Sequence, residues 1–235
     1  MDAVYVLGRG SGWRDRELLY SLRSLSVYVA GITRVVVVGH RPAWLRGVLH
    51  LPLGDPHGYK ERNIYEKLLL ACRDPRLTPR VLFLNDDHVA GAPGAAAAVP
   101  DYRGKQLLAL AQHLAPGAYR LALENTHRRL QERGCTTWNF DVHAPMVVDR
   151  AAFVAAMTSY DWSEKFVMKS LYANTVGLAG TPYQDVKLAR GHTMAELVRI
   201  LRGRAWWSHG PTGLGPELKA LLAALYPDPS PWEAT

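Results

Sequence analysis

The chain has 235 residues, of which 48% are hydrophobic and 21% charged, and its formal net charge is +7. This composition is typical of a folded domain and excludes a disordered chain, and no apolar run approaches the ~20 residues of a membrane-spanning helix. The first residues lack a basic signal region, and Cys72 and Cys135 form neither a disulfide framework nor a metal-binding spacing. We therefore expect a single cytoplasmic domain with no membrane contact and no obligate protein partner.

The first part of the chain alternates short β-branched runs with amphipathic helical patterns. The patterns predict strands at 4–8, 33–39, 48–53 and 80–86, and helices at 15–29 and 63–72. Strands that alternate with helices pair in parallel through right-handed crossovers. The sequence thus predicts an α/β fold, with a mixed, mostly parallel sheet flanked by helices.

The pattern changes after residue 90. Residues 91–104, "GAPGAAAAVPDYRG", are predicted to form a small-residue connector, either irregular or a hairpin. Helices follow at 105–114 and 119–134, then a short strand "PMVV" and a helix capped by Asp149. Further helices at 164–172, at 194–203 and near the end predict a helical C-terminal part.

The segment "RVLFLNDDHVAG" (80–91) contains the strongest functional signal. An apolar strand ends on Asp86 and Asp87, and ligands of parallel α/β sheets bind beyond the carboxyl ends of the strands. Mg²⁺ and Mn²⁺ favour oxygen ligands and often use one or two carboxylates together with substrate phosphates. The alternative is a helix N-cap or an Asp-rich turn, but no helical pattern follows. A cation site for a diphosphate is the favoured interpretation.

The turn "GRGSGW" (8–13) follows the first strand. Gly8 and Gly10 fit the start of a dinucleotide fingerprint, but Trp13 stands where the third glycine is needed, and no acidic residue ends the second strand. A G-K-[ST] phosphate loop is also absent from the sequence. Two interpretations stay open: a loop that lets backbone approach a nucleotide, with Arg9 or Trp13 beside it, and a plain strand-to-helix turn.

Two later polar residues are candidates for chemistry. His143, in "NFDVHAP", could complete a Mn²⁺ shell or shuttle a proton. Asp185, in "GTPYQDVKL", could accept a proton from an attacking hydroxyl or cap the next helix. Trp206 and Trp207 could stack on a sugar or a base, although such pairs are more often core.

The net charge predicts a polyanionic partner such as DNA if the basic side chains gather on one face. The alternative is a common basic surface in a chain rich in arginine and alanine. The candidate groups for such a face are Arg128, Arg129 and Arg133, then Lys187 and Arg190, then Arg199, Arg202 and Arg204.

Three segments in this order resemble the Stealth family and related phage sugar transferases: "ELLYSLRSLSVYVAGITRVVVVG", "RVLFLNDDHVAG" and "HAPMVVDR", within residues 17–150. The resemblance implies a GT-A-like nucleotide-diphospho-sugar transferase fold, with residues 1–90 as the nucleotide-binding half and 91–235 as the acceptor-binding half. It assigns Asp86 and Asp87 to the metal and diphosphate, and His143 to an accessory ligand or acid/base role. It also places Arg23, Asn63 and Lys67 on the nucleotide side.

The chain opens with "DAVYVLGRGSG" where Stealth proteins carry "D-x-VYTWVDG-[ST]", and its size and its ending "YPDPSPWE" are more similar to phage enzymes that glycosylate modified DNA. We therefore expect a hexosyltransferase that uses Mn²⁺ or Mg²⁺ and a UDP-sugar, most simply UDP-glucose. Its acceptor would be hydroxymethylcytosine or hydroxymethyluracil in phage DNA, in the host cytoplasm. Asp185 would be the base, and Arg128, Arg129, Lys187 and Arg190 would contact DNA. The alternatives are a Stealth-like sugar-phosphate transferase acting on a surface polysaccharide and a non-catalytic basic DNA-binding domain.

Overall fold

A five-stranded sheet lies at the centre of the computed structural model, which describes residues 1–92, 95, 99 and 101–234. The strands are β1 (Asp2–Leu7), β2 (Arg34–Gly39), β3 (Leu49–Leu51), β4 (Arg80–Leu84) and β7 (Met146–Asp149). Their order is β3–β2–β1–β4–β7, and all pair in parallel except β7, which is antiparallel to β4. The predicted α/β class with a mostly parallel sheet is confirmed.

Helices cover both faces of this sheet, because successive side chains of a strand point to opposite sides. The helices are α1 (Arg16–Tyr28), α2 (Lys60–Arg73), α3 (Leu107–Ala111), α4 (Ala118–Glu132), α5 (Arg150–Met157) and α6 (Met168–Thr175). On one face, Val4 and Val6 pack with the helices α2 to α6; on the other, Ala3 and Tyr5 pack against α1.

Two smaller sheets and the C-terminal helices complete the described chain. Their strands are β5 (His88–Ala90), β6 (Tyr102–Arg103), β8 (Thr181–Pro182), β9 (Lys187–Leu188) and β10 (Trp206–His209). The three-stranded sheet has the order β5–β10–β9, and a two-stranded sheet pairs β6 with β8. The helices α7 (Met194–Leu201) and α8 (Pro216–Leu225) pack with a third apolar cluster around Trp207.

Strand direction brings distant segments to one edge of the central sheet. The carboxyl ends of β1, β2 and β4 lie at this edge. Because β7 is antiparallel to β4, with Met146 opposite Phe83, the loop that enters β7 reaches the same edge. β5 continues from the turn after β4 and pairs with β10, which pairs in turn with β9. The segments around residues 87, 143, 187 and 209 therefore converge.

The predicted elements are confirmed with shifted bounds. The helix expected from residue 63 begins at Lys60, and the one expected from residue 164 begins at Met168. Asp149 caps α5 by accepting a hydrogen bond from the backbone N–H of Ala152. β10 is not among the predicted strands. Of the connector expected at 91–104, either irregular or a hairpin, residues 93, 94, 96–98 and 100 lie outside the described residues, and its described end forms β6, which pairs in parallel with β8. In the described part of the chain, no helix is both long and apolar enough to cross a membrane.

Candidate functional site

Asp86 and Asp87 form the turn that leaves β4 at the carboxyl edge. Burial raises the pKa of Asp86 to about 7, and the charges of Asp87 and Glu17 add to the effect. Oδ1 of Asp87 is buried and has no hydrogen-bond partner among the described residues. A buried acceptor without a partner costs about 1–3 kcal/mol, so this oxygen is suited to bind a cation or a donor group of a ligand.

Two buried histidines flank this turn. Nδ1 of His88 lies 3.3 Å from the backbone N–H of Asn85, which donates to it, so the ring proton is on Nε2. That Nε2 is buried and has no partner within the described structure. Burial lowers the pKa of both His88 and His209, while the charge of Asp87 partly opposes the shift at His209. Both imidazoles are therefore neutral near pH 7.

His143, Asp185 and Lys187 form one hydrogen-bonded group. Nδ1 and the backbone N–H of His143 donate to Oδ2 of Asp185, at 2.7 and 3.1 Å. Nζ of Lys187 lies 2.7 Å from Nε2 of His143. The structure thus joins the two predicted catalytic residues. Asp185 and Lys187 engage both ring nitrogens here, and the role of His143 as a metal ligand stays a prediction. Lys187 is exposed and uses one of its three ammonium donors on His143, so its predicted contact with DNA stays a prediction.

The glycine-rich turn lies at the same edge, next to these groups. Gly8, Arg9 and Gly10 are exposed, and Gly10 has φ +114°, a conformation that L side chains rarely adopt. The ring of Trp13 stacks on Tyr20 with 5.3 Å between ring centroids, and the ammonium of Lys219 lies 5.4 Å from the Trp13 centroid. Trp13 is therefore packed against Tyr20 of α1, and the exposed residues of the turn are 8–10 and 12.

Asn63 and Lys67 lie near the edge, but both hold a loop. Asn63 makes hydrogen bonds to the backbone N–H and C=O of His57. Nζ of Lys67, whose side chain is only 3% exposed, donates to the carbonyl of Leu7 at 2.6 Å and to the carboxylate of Asp55. The predicted direct contact of Asn63 and Lys67 with a nucleotide is thus corrected to the support of residues 55–57.

Arg23 also has a structural role. Its guanidinium pairs with the carboxylate of Glu233 at 2.7 Å and donates to the carbonyls of Tyr226 and Pro227. These contacts occupy Nε, Nη1 and Nη2 and bind α1 to the C-terminal segment. The predicted placement of Arg23 in the nucleotide site is not what the structure shows.

The predicted basic surface is partly neutralised. Arg128 and Arg129 each pair with both Glu132 and Glu164. Arg190 lies 3.6 Å from a glutamate on α7 and keeps 70% of its side chain exposed. A phosphate would have to break two ion pairs at each of Arg128 and Arg129 but only one longer contact at Arg190, so α4 fits the predicted DNA contact less well than Arg190 does.

The aspartates fit a divalent cation as part of a set that substrate completes. In the described chain, no three side chains of histidine, cysteine, aspartate or glutamate converge as a preformed metal site. Mg²⁺ and Mn²⁺ commonly use one or two carboxylates with substrate phosphates. Asp87, with its unpartnered Oδ1, and Asp86 next to it provide that donor set.

Sequence reasoning missed His88, His209 and the buried Lys169. His88 directly follows the predicted aspartates, but its burial depends on the pairing of β5 with β10. His209 and Lys169 carry no local signal, because only the three-dimensional arrangement brings them to the edge.

The sequence matches no protein-family model and no curated protein. The chain is similar to the crystal structure of galactosyltransferase LgtC in complex with donor and acceptor sugar analogs, with a TM-score of 0.53 and 14% identity over 97% of both chains. It is also similar to the structure of an active-site mutant of LgtC, with a TM-score of 0.51 and 14% identity over 96% of both chains. This likeness carries the fold alone, and the resemblance to the Stealth family and phage enzymes stays a prediction. The chain has a GT-A-like glycosyltransferase fold.

Proposed function

We propose that this protein transfers a sugar from a nucleotide-diphosphate sugar to an acceptor hydroxyl. The observation that carries the proposal is the unpartnered, buried Oδ1 of Asp87 at the carboxyl edge of a GT-A-like sheet, with Asp86 beside it. Acidic and basic groups both face this place, since the charge of Lys187 acts on His88, next in sequence to Asp87. A diphosphate held by a cation needs both kinds of group.

Asp86 and Asp87 would hold Mn²⁺ or Mg²⁺. Bound there, the cation would neutralise the negative charge that develops on the diphosphate leaving group. The protein supplies further charge and hydrogen bonding of its own. Lys187 brings an ammonium group, and the buried Nε2–H of His88 is a donor with no partner in the described structure. We assign both to the phosphate side of the donor.

When the ammonium of Lys187 turns from His143 to the donor phosphates, Nε2 of His143 becomes free to take the proton of the acceptor hydroxyl. Asp185 accepts two hydrogen bonds from this residue and so fixes the orientation of the ring. A neutral hydroxyl is a poor nucleophile, and a positioned base contributes about 10²–10⁴-fold to the rate. Asp185, expected from the sequence to be the base, is better placed to orient His143.

As acceptor we propose DNA with hydroxymethylated pyrimidines, and as donor UDP-glucose. The net charge of +7 supports a polyanionic acceptor. Arg9, Arg14 and Arg16 follow β1, are exposed, and make no ion pair within the described residues, so they can contact phosphates near the site. A base inside a duplex would have to be flipped out to expose its hydroxymethyl group.

Binding provides the first test. Isothermal titration with UDP should show binding that requires Mn²⁺, and Asp87→Asn should weaken it at least tenfold. Asp228→Asn removes an exposed carboxylate in the C-terminal segment and serves as the matched control. Binding that is independent of the metal, or unchanged in Asp87→Asn, would favour the alternative of a non-catalytic domain.

Transfer provides the second test. The protein is incubated with labelled UDP-glucose and other nucleotide sugars, Mn²⁺, and either hydroxymethylated DNA, unmodified DNA or oligosaccharides. If only hydroxymethylated DNA becomes labelled, the proposed acceptor is supported. If an oligosaccharide becomes labelled, the acceptor is a saccharide and the proposal of DNA is wrong. Mass spectrometry of the product identifies the sugar-phosphate alternative, because only that reaction adds a phosphate with the sugar.

A further inference from the structure

Lys169, on α6, is a buried lysine that none of the sequence-based assignments includes. Only 6% of the residue is exposed. Lysine is rarely buried unless its ammonium is paired, and an unpaired buried charge is costly. Among the described ion pairs, none includes Lys169. Its ammonium instead donates to two backbone carbonyls, that of Val142 and, at 2.9 Å, that of Ala144.

These two carbonyls flank His143. By holding both, the ammonium fixes the peptide group that precedes His143 and the one that follows Ala144. The remaining contacts of His143 lie on the other side, where Asp185 accepts from its backbone and ring, and Lys187 contacts Nε2. The position of the imidazole is therefore set from within the protein by Lys169 and from the cleft by Asp185 and Lys187.

The charge of Lys169 also faces the acidic groups of the site. Burial lowers the pKa of Lys169, while the carboxylates of Asp141, Asp185, Glu61 and Asp87 favour its charged form. These four carboxylates belong to four separate segments of the chain. Neutral side chains or water can bind backbone carbonyls at a smaller desolvation cost. A buried ammonium at this point thus indicates a role for the charge itself.

We propose that Lys169 is the positioning residue for His143: it clamps the carbonyls of residues 142 and 144 and supplies the internal positive charge around which the site's carboxylates are arranged. This inference deepens the proposed transferase function and rests on it. Lys169 is not itself a catalytic residue, since its ammonium is directed at backbone carbonyls.

The test compares Lys169→Met and Lys169→Gln with Lys105→Met, which removes an exposed lysine. Lys169→Met has a similar length and no charge, and Lys169→Gln keeps a donor without the charge. We expect both Lys169 variants to lower kcat for sugar transfer by about 10²-fold, because a displacement of about 1 Å in a catalytic group costs that much. The dissociation constant for UDP with Mn²⁺ should change by less than about threefold, since Lys169 contacts no part of the donor side.

A readout independent of turnover is the ring N–H signal of His143 in ¹⁵N-labelled protein. In the wild type and in Lys105→Met, the Nδ1–H held by Asp185 should exchange slowly and give a resolved signal. In the folded Lys169 variants this signal should broaden or disappear. If Lys169→Met does not fold, Lys169→Gln carries the comparison.

An unchanged His143 signal together with unchanged kcat in either folded Lys169 variant would overturn the inference. Loss of the signal in a protein that binds no nucleotide sugar would overturn the proposed function but leave the positioning role of Lys169 standing. Loss of kcat and of UDP affinity by the same factor would show a general disruption of the cleft, and would also count against the inference.

Discussion

Nδ1 of His143 lies 2.7 Å from Oδ2 of Asp185, a residue 42 positions later in the chain. The ammonium of Lys187 can only donate, so Nε2 of His143 accepts from it and the ring proton is on Nδ1. Burial alone would raise the pKa of Asp185, but the hydrogen bonds from the ring and backbone of His143, together with the charge of Lys169, outweigh burial, and the pKa is lowered. Asp185 therefore stays ionised near neutral pH and orients His143.

Removing the charge of Asp185 should impair turnover more than binding. In Asp185→Asn the amide can present an N–H to Nδ1, which favours the other tautomer of His143 and rotates or displaces the ring. We expect kcat to fall by about 10²-fold or more, with the UDP dissociation constant nearly unchanged. Steady-state kinetics and titration on the same preparations check this.

Gln184→Ala changes the exposed neighbouring residue and should keep nearly full kcat. If Asp185→Asn is as active as Gln184→Ala, the hydrogen bond between His143 and Asp185 has no part in catalysis. If it fails to bind UDP, Asp185 acts on the donor and not on His143.

Asp86 should lower the stability of the fold at the pH values at which its carboxylate can bind a cation. Its carboxyl group has a pKa raised to about 7 by burial and by its acidic neighbours, so the folded protein retains a proton that the unfolded chain releases near pH 4. The ionised form is therefore destabilising, and its cost grows as the pH rises from about 4 to about 7 and is constant above that. Asp86→Asn should raise Tm by a few degrees at pH 8 and by almost nothing at pH 4.

The same titration predicts tighter metal binding at higher pH. A cation binds the carboxylate, so the affinity for Mn²⁺ with UDP should increase from pH 6 to pH 8 in the wild type and show a weaker increase in Asp86→Asn. Calorimetry at several pH values measures both effects. A Tm gain of equal size at pH 4 and pH 8 would show that Asp86 is not the group that titrates.

The fold was predictable because its signals are local. The apolar runs within 33–39 and 80–84 and the helical pattern at 15–29 each identify an element, and alternation of strands with helices predicts a parallel sheet. β10 was not predictable in the same way. Its residues, Trp206–His209, have no alternating polarity, since all four are buried between two neighbouring strands.

The site was predictable in part, because some of its signals are also local in the sequence. Asp86 and Asp87 end a strand, and strand ends are where ligands of such sheets bind. The partners of the other predicted residues depend on side chains elsewhere in the sequence. Arg23 pairs with Glu233, and Lys67 pairs with Asp55. A sequence pattern identifies a basic residue near an edge, but it does not show which carboxylate already occupies it.

The pair of Arg23 and Glu233 should be important for stability and not for donor binding. Only 15% and 8% of these side chains are exposed, and removing one member leaves the other charge unpaired. We expect Arg23→Ala to cost about 3 kcal/mol in the free energy of unfolding, measured by urea denaturation. Arg120→Ala breaks the pair with Glu124, in which about a third of each side chain is exposed, and should cost less than about 1 kcal/mol.

UDP titration of Arg23→Ala then separates the structural role from the one first expected. At a temperature where the variant is folded, its dissociation constant should equal that of the wild type. A tenfold loss of UDP affinity in a folded Arg23→Ala protein would show that Arg23 contributes to nucleotide binding.

DNA binding, if present, should depend on the loop after β1 more than on α4. Arg128 and Arg129 already pair with Glu132 and Glu164, so contact with a phosphate would require breaking those pairs. Arg14 and Arg16 are exposed and have no ion-pair partner within the described chain.

The double variant Arg14→Gln, Arg16→Gln should weaken DNA binding and reduce the slope of log K against log salt by about 2, since each phosphate contact contributes about 0.9. Arg128→Gln, Arg129→Gln, which removes the same charge, should leave that slope nearly unchanged. Fluorescence anisotropy with a labelled duplex at several salt concentrations measures both. A smaller slope only in the Arg128, Arg129 variant would place the DNA on α4, because counterion release reports the arginines that contact phosphate. If both variants and the wild type have the same slope, neither the loop after β1 nor α4 contacts DNA. The net charge would then have no role in acceptor binding.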